Sequence, residues 1–331
     1  MPEDLPMSQQ AGNRCRLRVV FFGMGGAFMT VPMKQVARGH DVVGLVLSSS
    51  AYRAASDSAS RSTSPLRALA RALLRRPTPS IEELREKHSF TILDYDEAHL
   101  QKTIDQLRAL APDICCVAGF PRLLPTEMLS VPRHGFVNVH PSLLPCYRGA
   151  NPFFWAFHDQ VSQTGVSIHV IDEGEDTGRV LAQERIEVPF GMTGQQLVRE
   201  ATRRGARLLR EAIDSISVDE EIPLIASDCP SARRARRPEL DREYVDWEAW
   251  SCQRVFHFLR GVMPYWYTPP SLKDAVPGGW IAMSIHPADD DASPLTLRAQ
   301  SRWVEVRCSD GWIRFKPQAS VRRLLAKLRG W

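Results

Sequence analysis

The stretch RLRVVFFGMGG, residues 16–26, decides the fold. Arg16 to Phe22 is a short, largely apolar run that Gly23, Gly25 and Gly26 cut off before a helical pattern begins, which reads as strand, glycine turn, helix. A second apolar run, Val42 to Leu47, starts sixteen residues after the turn, the length of a strand-helix-strand crossover. Such a crossover predicts an α/β protein with a mainly parallel sheet.

The same alternation continues toward the C-terminus. Leu100, Ile104, Leu107 and Ala111 share one helical face, and Asp113 to Phe120, Phe136 to His140, Thr164 to Ile171 and Val180 to Val188 read as further strands. A long helix opens at Thr193, where Thr193 and Gln196 form a capping-box pattern, and ends near Ser217. Ser48 to Ser80 is a Ser/Arg-rich loop carrying one amphipathic helix through Leu66, Leu69 and Leu73. From Asp219 the composition turns to Pro, Ser and Arg. Beyond it, Trp280 to His286, Leu295 to Ala299, Trp303 to Cys308 and Trp312 to Lys316 alternate as short strands, the last two joined by the hairpin turn Ser309-Asp310-Gly311. The expected organisation is a disordered N-terminus (1–15), a Rossmann-like catalytic domain (16–218), a linker (219–240) and a small β-rich domain (241–331).

Several function classes drop out. Gly23-x-Gly25 lacks a third glycine, since Phe28 stands in its place, and Ser48 to Ser50 offers no acidic ribose ligand, so dinucleotide binding is not expected. No apolar run can span a bilayer, and the polar, Gln/Asn/Arg-rich start does not resemble a secretion signal, which points to the cytoplasm with no membrane partner. Seven cysteines without any C-x-x-C pair do not suit a disulfide framework. The histidines show no metal-ligand spacing, so no metal is expected. A net charge of +4 suits anionic ligands without itself indicating nucleic acid.

Chemistry concentrates in Asn138-Val139-His140-Pro141-Ser142-Leu143-Leu144-Pro145-Cys146-Tyr147-Arg148-Gly149. Positions two apart on a strand point to one side, so Asn138 and His140 present an amide and an imidazole together, at the strand end where open α/β sheets place ligands. Asp172-Glu173-Gly174-Glu175-Asp176-Thr177-Gly178 follows a later strand, and its glycines permit a sharp turn that brings a carboxylate to His140. Asp172, Glu173 and Glu175 fit a solvated acidic turn.

With these two motifs the sequence resembles the 10-formyltetrahydrofolate-dependent formyltransferase family, whose hallmarks stand here as N-x-H-x-S-L-L-P-x-x-R-G and D-E-G-x-D-T-G. The resemblance runs from about Arg16 to Val188 and includes Gly119-Phe120-Pro121-Arg122-Leu123-Leu124-Pro125. It implies formyl transfer from 10-formyltetrahydrofolate to an amine, with Asn138, His140 and Asp176 catalytic. It also implies a flat pterin held around Phe120, Arg122, Leu123, Leu124, Ile171 and Asp172, with Ser142 shaping the catalytic loop. Cys146 lies inside the motif, where a pocket wall fits better than a nucleophile, because formyl transfer to an amine needs no covalent intermediate.

The acceptor divides the family. Tyr244-Val245-Asp246-Trp247, the helix end from Phe256 to Gly261 and the closing β unit resemble, more weakly, the C-terminal domain of methionyl-tRNA formyltransferases, a small barrel of oligonucleotide-binding type. From Arg302 onward eight Arg or Lys stand against Glu305 and Asp310, and six Arg of the Ser48–Ser80 loop stand against Asp57. Both clusters suit an RNA backbone. Against this, the loop lacks the compact Gly/Lys/Arg cluster of the tRNA enzymes, and Asp289-Asp290-Asp291 interrupts the strands. Asn151-Pro152-Phe153-Phe154-Trp155 resembles instead the small-molecule and sugar branch, which makes Asn151 and Trp155 acceptor-facing candidates, with a core position the alternative for Trp155, while Arg148 is expected to be structural or acceptor-facing. The expectation is a small amine acceptor, an amino sugar or an amino-acid-derived intermediate, ahead of tRNA. A hydrolase of the formylated folate and a catalytically silent RNA-binding protein are the other classes. Oligomeric state and pathway are not legible.

Overall fold

Every residue of β1 (Arg18–Gly23) after Arg18 is buried, which places this strand in the middle of a sheet rather than at its edge. The computed structural model describes residues 15–49, 78–218, 233–277, 279–300 and 302–317. The expected disordered start, nearly all of the Ser48–Ser80 loop with its helix and basic cluster, residues 219–232 of the linker and the basic residues 318–331 lie outside the described residues. The sheet has seven strands, in the order β3 (Thr91–Tyr95), β2 (Asp41–Ser48), β1, β4 (Ile114–Ala118), β5 (Phe136–His140), β6 (Gln163–Val170), β7 (Val180–Glu187). β1 runs parallel to β2 and β4, β2 to β3, and β4 to β5, whereas β6 is antiparallel to β5. The order reverses at β1 and β4, and ligands of open α/β sheets bind near such a reversal, beyond the carboxyl ends of the strands. The α/β reading from residues 16–26 therefore stands.

Alternation along the strands builds two cores. Val19 and Phe21 of β1 join Leu45, Leu47, Val137 and Val139 on one face, together with Met29 and Met33 of α1 (Ala27–Val36). Val20 and Phe22 join Val46, Cys115, Val117 and Phe136 on the other, together with Ile104 and Leu107 of α3 (Leu100–Ala109). The turn between β1 and α1 needs glycine twice. Gly25 has a φ of 85°, and a Cβ at Gly23 would lie 2.8 Å from the Ala118 carbonyl.

Two neighbouring elements, α2 (Ile81–His88) and β3, go beyond the sequence reading. The helix carried a legible signal: Ser80 Oγ accepts from the Glu83 amide at 3.2 Å while Glu83 Oε2 accepts from the Ser80 amide at 3.0 Å, a capping box. Two shorter helices, α4 (Thr126–Leu129) and α5 (Pro152–His158), follow. The box expected at Thr193 and Gln196 caps α6 (Gly194–Ile216), with the Thr193 amide donating to Gln196 Oε1 at 2.8 Å. No helix among the described residues is long and apolar enough to cross a membrane.

The described residues form two compact units. The first holds the sheet just described, from residues 15–148, 165–185 and 199–218. The second, from residues 149–164, 186–198 and 233–317, packs α5 against α7 (Cys252–Val262). Phe154, fully buried, meets Tyr244, Phe258 and Tyr267 edge-on with ring centroids 5.2 to 5.6 Å apart. The expected barrel is here an antiparallel sheet of four strands in the order β8 (Trp280–Pro287), β11 (Gly311–Pro317), β10 (Trp303–Arg307), β9 (Leu297–Gln300).

One buried histidine ties α6 to the sheet. His40 accepts from the Leu17 amide through Nδ1 at 3.2 Å and donates from Nε2 to Asp214 Oδ1 at 2.8 Å, so the fold holds it neutral. Burial lowers its pKa, with Asp214 opposing. Unfolded histidine takes up a proton below about pH 6.5, so there the unfolded chain binds more protons than the native one and stability falls. The melting temperature should decrease as the pH is lowered from about 7.5 to about 5.5. His40→Asn keeps an acceptor for Leu17 but takes no proton, and should flatten that slope; a slope unchanged in the variant would remove His40 as its source.

Candidate active site

Along β5, Phe136 faces the second core and Val137 and Val139 the first, so the alternation puts Asn138 and His140 on the Phe136 side. The antiparallel register then sets His169 of β6 opposite Asn138 and Ser167 opposite His140. Directly opposed residues project from the same face. Four polar side chains thus gather at one place, and His140, Ser167 and His169 are all buried.

The turn after β6 adds a carboxylate. Asp172 Oδ1 accepts from the Gly174 amide at 3.1 Å and the Thr177 hydroxyl at 2.6 Å, which curls the segment, and Asp176 adopts a φ of 53°. The turn presses onto β6 so closely that a Cβ at Gly178 would run into the Val170 carbonyl. Asp176 Oδ2 lies 3.4 Å from His140 Nδ1, and its Oδ1 lies 3.4 Å from His169 Nε2. The turn does bring Asp176 to His140.

Hydrogen bonds fix which ring nitrogens are free. His169 Nδ1 donates to the Val170 carbonyl at 2.8 Å, so Nε2 accepts from Asn138 Nδ2 at 3.0 Å. The second amide hydrogen of Asn138 points toward Asp176 Oδ1 at 3.4 Å. His140 Nε2 donates to the Tyr147 carbonyl at 3.1 Å, which leaves Nδ1 facing Asp176. Burial lowers the His140 pKa; the Asp176 charge and the bond to Tyr147 oppose the shift, and His169 adds to it. A proton on Nδ1 is thus held by Asp176 against a desolvation cost, a balance suited to giving it up.

The remaining expected residues are distributed around this centre. Phe120 packs edge-on against Phe22 and Tyr95, and the Tyr95 hydroxyl reaches the Leu123 carbonyl at 3.5 Å. These contacts anchor a loop on which Leu123 is 71% exposed, while Leu124 and Ile171 pack partly into the second core. Arg122 is ion-paired to Glu97 at 2.7 Å. Asp172 is an exposed former of its own turn. Ser142 is fully buried, and its hydroxyl donates to the Cys146 carbonyl at 2.6 Å.

Arg148 is partly buried in the first unit. Asn151 and Trp155 belong to the second unit, where Trp155 Nε1 donates to the Arg236 carbonyl at 2.7 Å and the Arg233 guanidinium lies 4.3 Å from its ring centroid. Cys146 is in disulfide linkage, so its sulfur is no nucleophile, while Cys15, Cys115, Cys116, Cys252 and Cys308 are free.

Sequence reasoning missed His169, although its place two residues from Ser167 on a strand was readable; what could not be read was the register opposite β5. That register also gathers ligand-type atoms of His140, His169 and Asp176 within 4.8 Å of one another. Two imidazoles and a carboxylate are donors that suit a zinc-like ion. Linear spacing gave no hint of this grouping, and the Asn138 amide already occupies the His169 lone pair.

Comparison with known proteins bears on this arrangement. Residues 17–213 match the family described as formyl transferase. A methionyl-tRNA formyltransferase of Bacillus cytotoxicus is 28% identical over 297 residues, 90% of this chain and 86% of that protein. One from Clostridium acetobutylicum is 32% identical over 64% of this chain and 68% of that protein. Among solved structures, the N-formyltransferase of Helicobacter canadensis, in complex with folinic acid and dTDP-3-aminofucose, matches 92% of this chain and all of that one with a TM-score of 0.61 and 13% identity. The sugar 3N-formyl transferase WlaRD matches with a TM-score of 0.61 and 12% identity over 92% of this chain and 98% of its own. At those identities the two structures speak for the fold.

Asp176→Asn removes the charge that raises the His140 pKa. The His140 imidazole, followed by NMR, should then titrate at still lower pH than in the unaltered protein; an unmoved or raised titration would contradict the electrostatic role given to Asp176.

Proposed function

The chain belongs to the formyl transferase family, and from that premise we propose that Asn138, His140 and Asp176 carry transfer of the formyl group of 10-formyltetrahydrofolate to the primary amine of a small acceptor. The observation that carries the chemistry is the convergence of one amide donor, one buried imidazole and one carboxylate at the end of β5. A neutral amine attacks the formyl carbon and an alkoxide develops on its oxygen. The amide of Asn138 supplies a hydrogen bond aimed at that charge, the oxygen taking over one of its two N–H groups. The proton shared by His140 and Asp176 goes to the departing folate nitrogen as its bond to the formyl carbon breaks, and the proton released by the amine restores the pair. Asp176 tunes and does not attack.

The pterin is assigned to the backbone around Phe120 to Leu124 and Ile171 to Asp172, with Leu123 offering an apolar wall and Ser142 holding the catalytic loop. Arg148, Asn151 and Trp155 are the acceptor-facing candidates. Trp155 commits its N–H and a ring face to its own unit, which shifts the weight to Arg148 and Asn151.

The preference for a small acceptor rests on the cations of the β8–β11 sheet. Arg298 lies 4.0 Å from the Trp312 ring centroid and pairs with Asp289 and Asp290, and Arg314 pairs with Glu305 at 2.7 Å. Arg307, buried, donates to the carbonyls of Cys308 and Gly311. Cations so committed are poorly placed to neutralise a phosphate backbone. The second reading, a tRNA acceptor, is favoured by the methionyl-tRNA formyltransferases that match across 90% of the chain.

Purified protein given 10-formyltetrahydrofolate with amino sugars, hydroxylated amino acids or initiator tRNA should release tetrahydrofolate with a small amine. Release with tRNA alone would establish the second reading, release without any acceptor a hydrolase, and none at all a silent binder. Asn138→Ala should lower turnover about 100- to 1000-fold; full turnover in that variant would refute its role.

A further inference from the structure

The seven residues after β5 have no regular structure, yet four of their carbonyls are each held by a side chain. Ser142 O accepts from Ser167 Oγ at 2.6 Å and Leu144 O from Gln183 Nε2 at 2.7 Å. Cys146 O accepts from Ser142 Oγ at 2.6 Å, and Tyr147 O from His140 Nε2 at 3.1 Å. Two more bonds close the arrangement: the Leu144 amide donates to Ser167 Oγ at 3.1 Å, and Gln183 Nε2 donates its other hydrogen to Ser167 Oγ at 3.0 Å. We infer that Ser167 and Gln183 are positioning residues for His140, acting through this loop to keep the Tyr147 carbonyl against one side of the imidazole.

The inference follows from donor and acceptor capacity. A serine hydroxyl has one hydrogen and two lone pairs, and Ser167 uses all three; the Gln183 amide has two N–H groups, and both are used. Ser142 and Ser167 are fully buried, so water cannot replace a partner that moves away. The loop is therefore held in the one arrangement that satisfies every member, and that arrangement ends on His140. The Tyr147 carbonyl selects the Nε2–H tautomer and turns Nδ1 to Asp176. Ser167 sits opposite His140 in the β5–β6 register and Gln183 lies on β7, so two strands outside the catalytic loop set its shape. Neither side chain is assigned to the reacting atoms.

The inference rests on the reading of His140 as the group that delivers the proton. Ser167→Ala and Gln183→Leu each remove part of the clasp, and Ser167→Thr keeps the hydroxyl. For the first two, kcat should fall about 10- to 100-fold, the loss expected from slight misplacement of a reacting group. KM for the formylated folate should stay within about twofold, and Ser167→Thr should restore most of the rate. In NMR spectra of the imidazole nitrogens, His140 should lose its preference for the Nε2–H tautomer and titrate at lower pH, because the bond to Tyr147 raises its pKa. Imidazole signals identical to the parent in folded Gln183→Leu, or a rate that falls only with the folded fraction, would overturn the inference. The NMR readout needs no turnover: if His140 responds in a protein that transfers no formyl group, the clasp stands and the functional reading falls.

Discussion

Because side chains alternate with period two along a strand, the antiparallel register of β5 and β6 sets Asn138 beside His169 and His140 beside Ser167 on one side of the sheet. A slip of β6 by one residue would turn His169 and Ser167 toward the side where Val137, Val139 and Ile168 are buried. Apolar burial on that opposite side therefore enforces the position of the polar groups. The parallel strands supply the scaffold, and the reversal of direction between β5 and β6 supplies the constellation.

That constellation is also constrained by charge. Two imidazoles and one carboxylate sit where little water reaches, and Asp176 is the anion that lies within 3.4 Å of both rings. One proton added to the trio leaves it neutral overall; a second would place an uncompensated cation in a buried site, at a cost of several kcal/mol. The interaction of His169 with His140 has the sign this predicts, since it lowers the His140 pKa while Asp176 raises it. His140 is thus held between opposing influences from the other two members of the trio. The bond from His169 to the Val170 carbonyl and that from His140 to Tyr147 decide where within it the proton resides.

What could be read in advance follows the range of the interactions involved. The glycine turn after β1, the cap of α6 and the pairing of Asn138 with His140 are set by neighbours within a few residues, and local pattern states them. Ser80 and Glu83 carried an equally local signal for α2, overlooked beside a low-complexity loop. His169, Ser167 and Gln183 depend on strand pairing between segments about 25 to 45 residues away along the chain, and composition cannot encode a register of that kind. Trp155 shows the converse. Its motif position was legible, but its contacts with Arg233 and Arg236 come from a distant part of the chain.

The same division bears on specificity. A fold shared at 12 to 13% identity with an N-formyltransferase and a sugar 3N-formyl transferase, and a sequence related over 90% of the chain to a methionyl-tRNA formyltransferase, show that architecture alone does not choose an acceptor. The chemistry proposed for this chain draws only on the ends of β5 and β6 and one turn. An RNA acceptor makes a further demand, unspent cations, because affinity for a polyphosphate backbone scales with the number of phosphates neutralised. In the β8–β11 sheet Arg298 is bound to Asp289 and Asp290, and Arg314 to Glu305. Releasing Arg314 to a phosphate would strand Glu305, which is almost fully buried. Of the cations counted from Arg302 onward, Arg314 is thus spent on an internal ion pair and Arg307 on carbonyls of its own hairpin, while residues 318–331 lie outside the described residues.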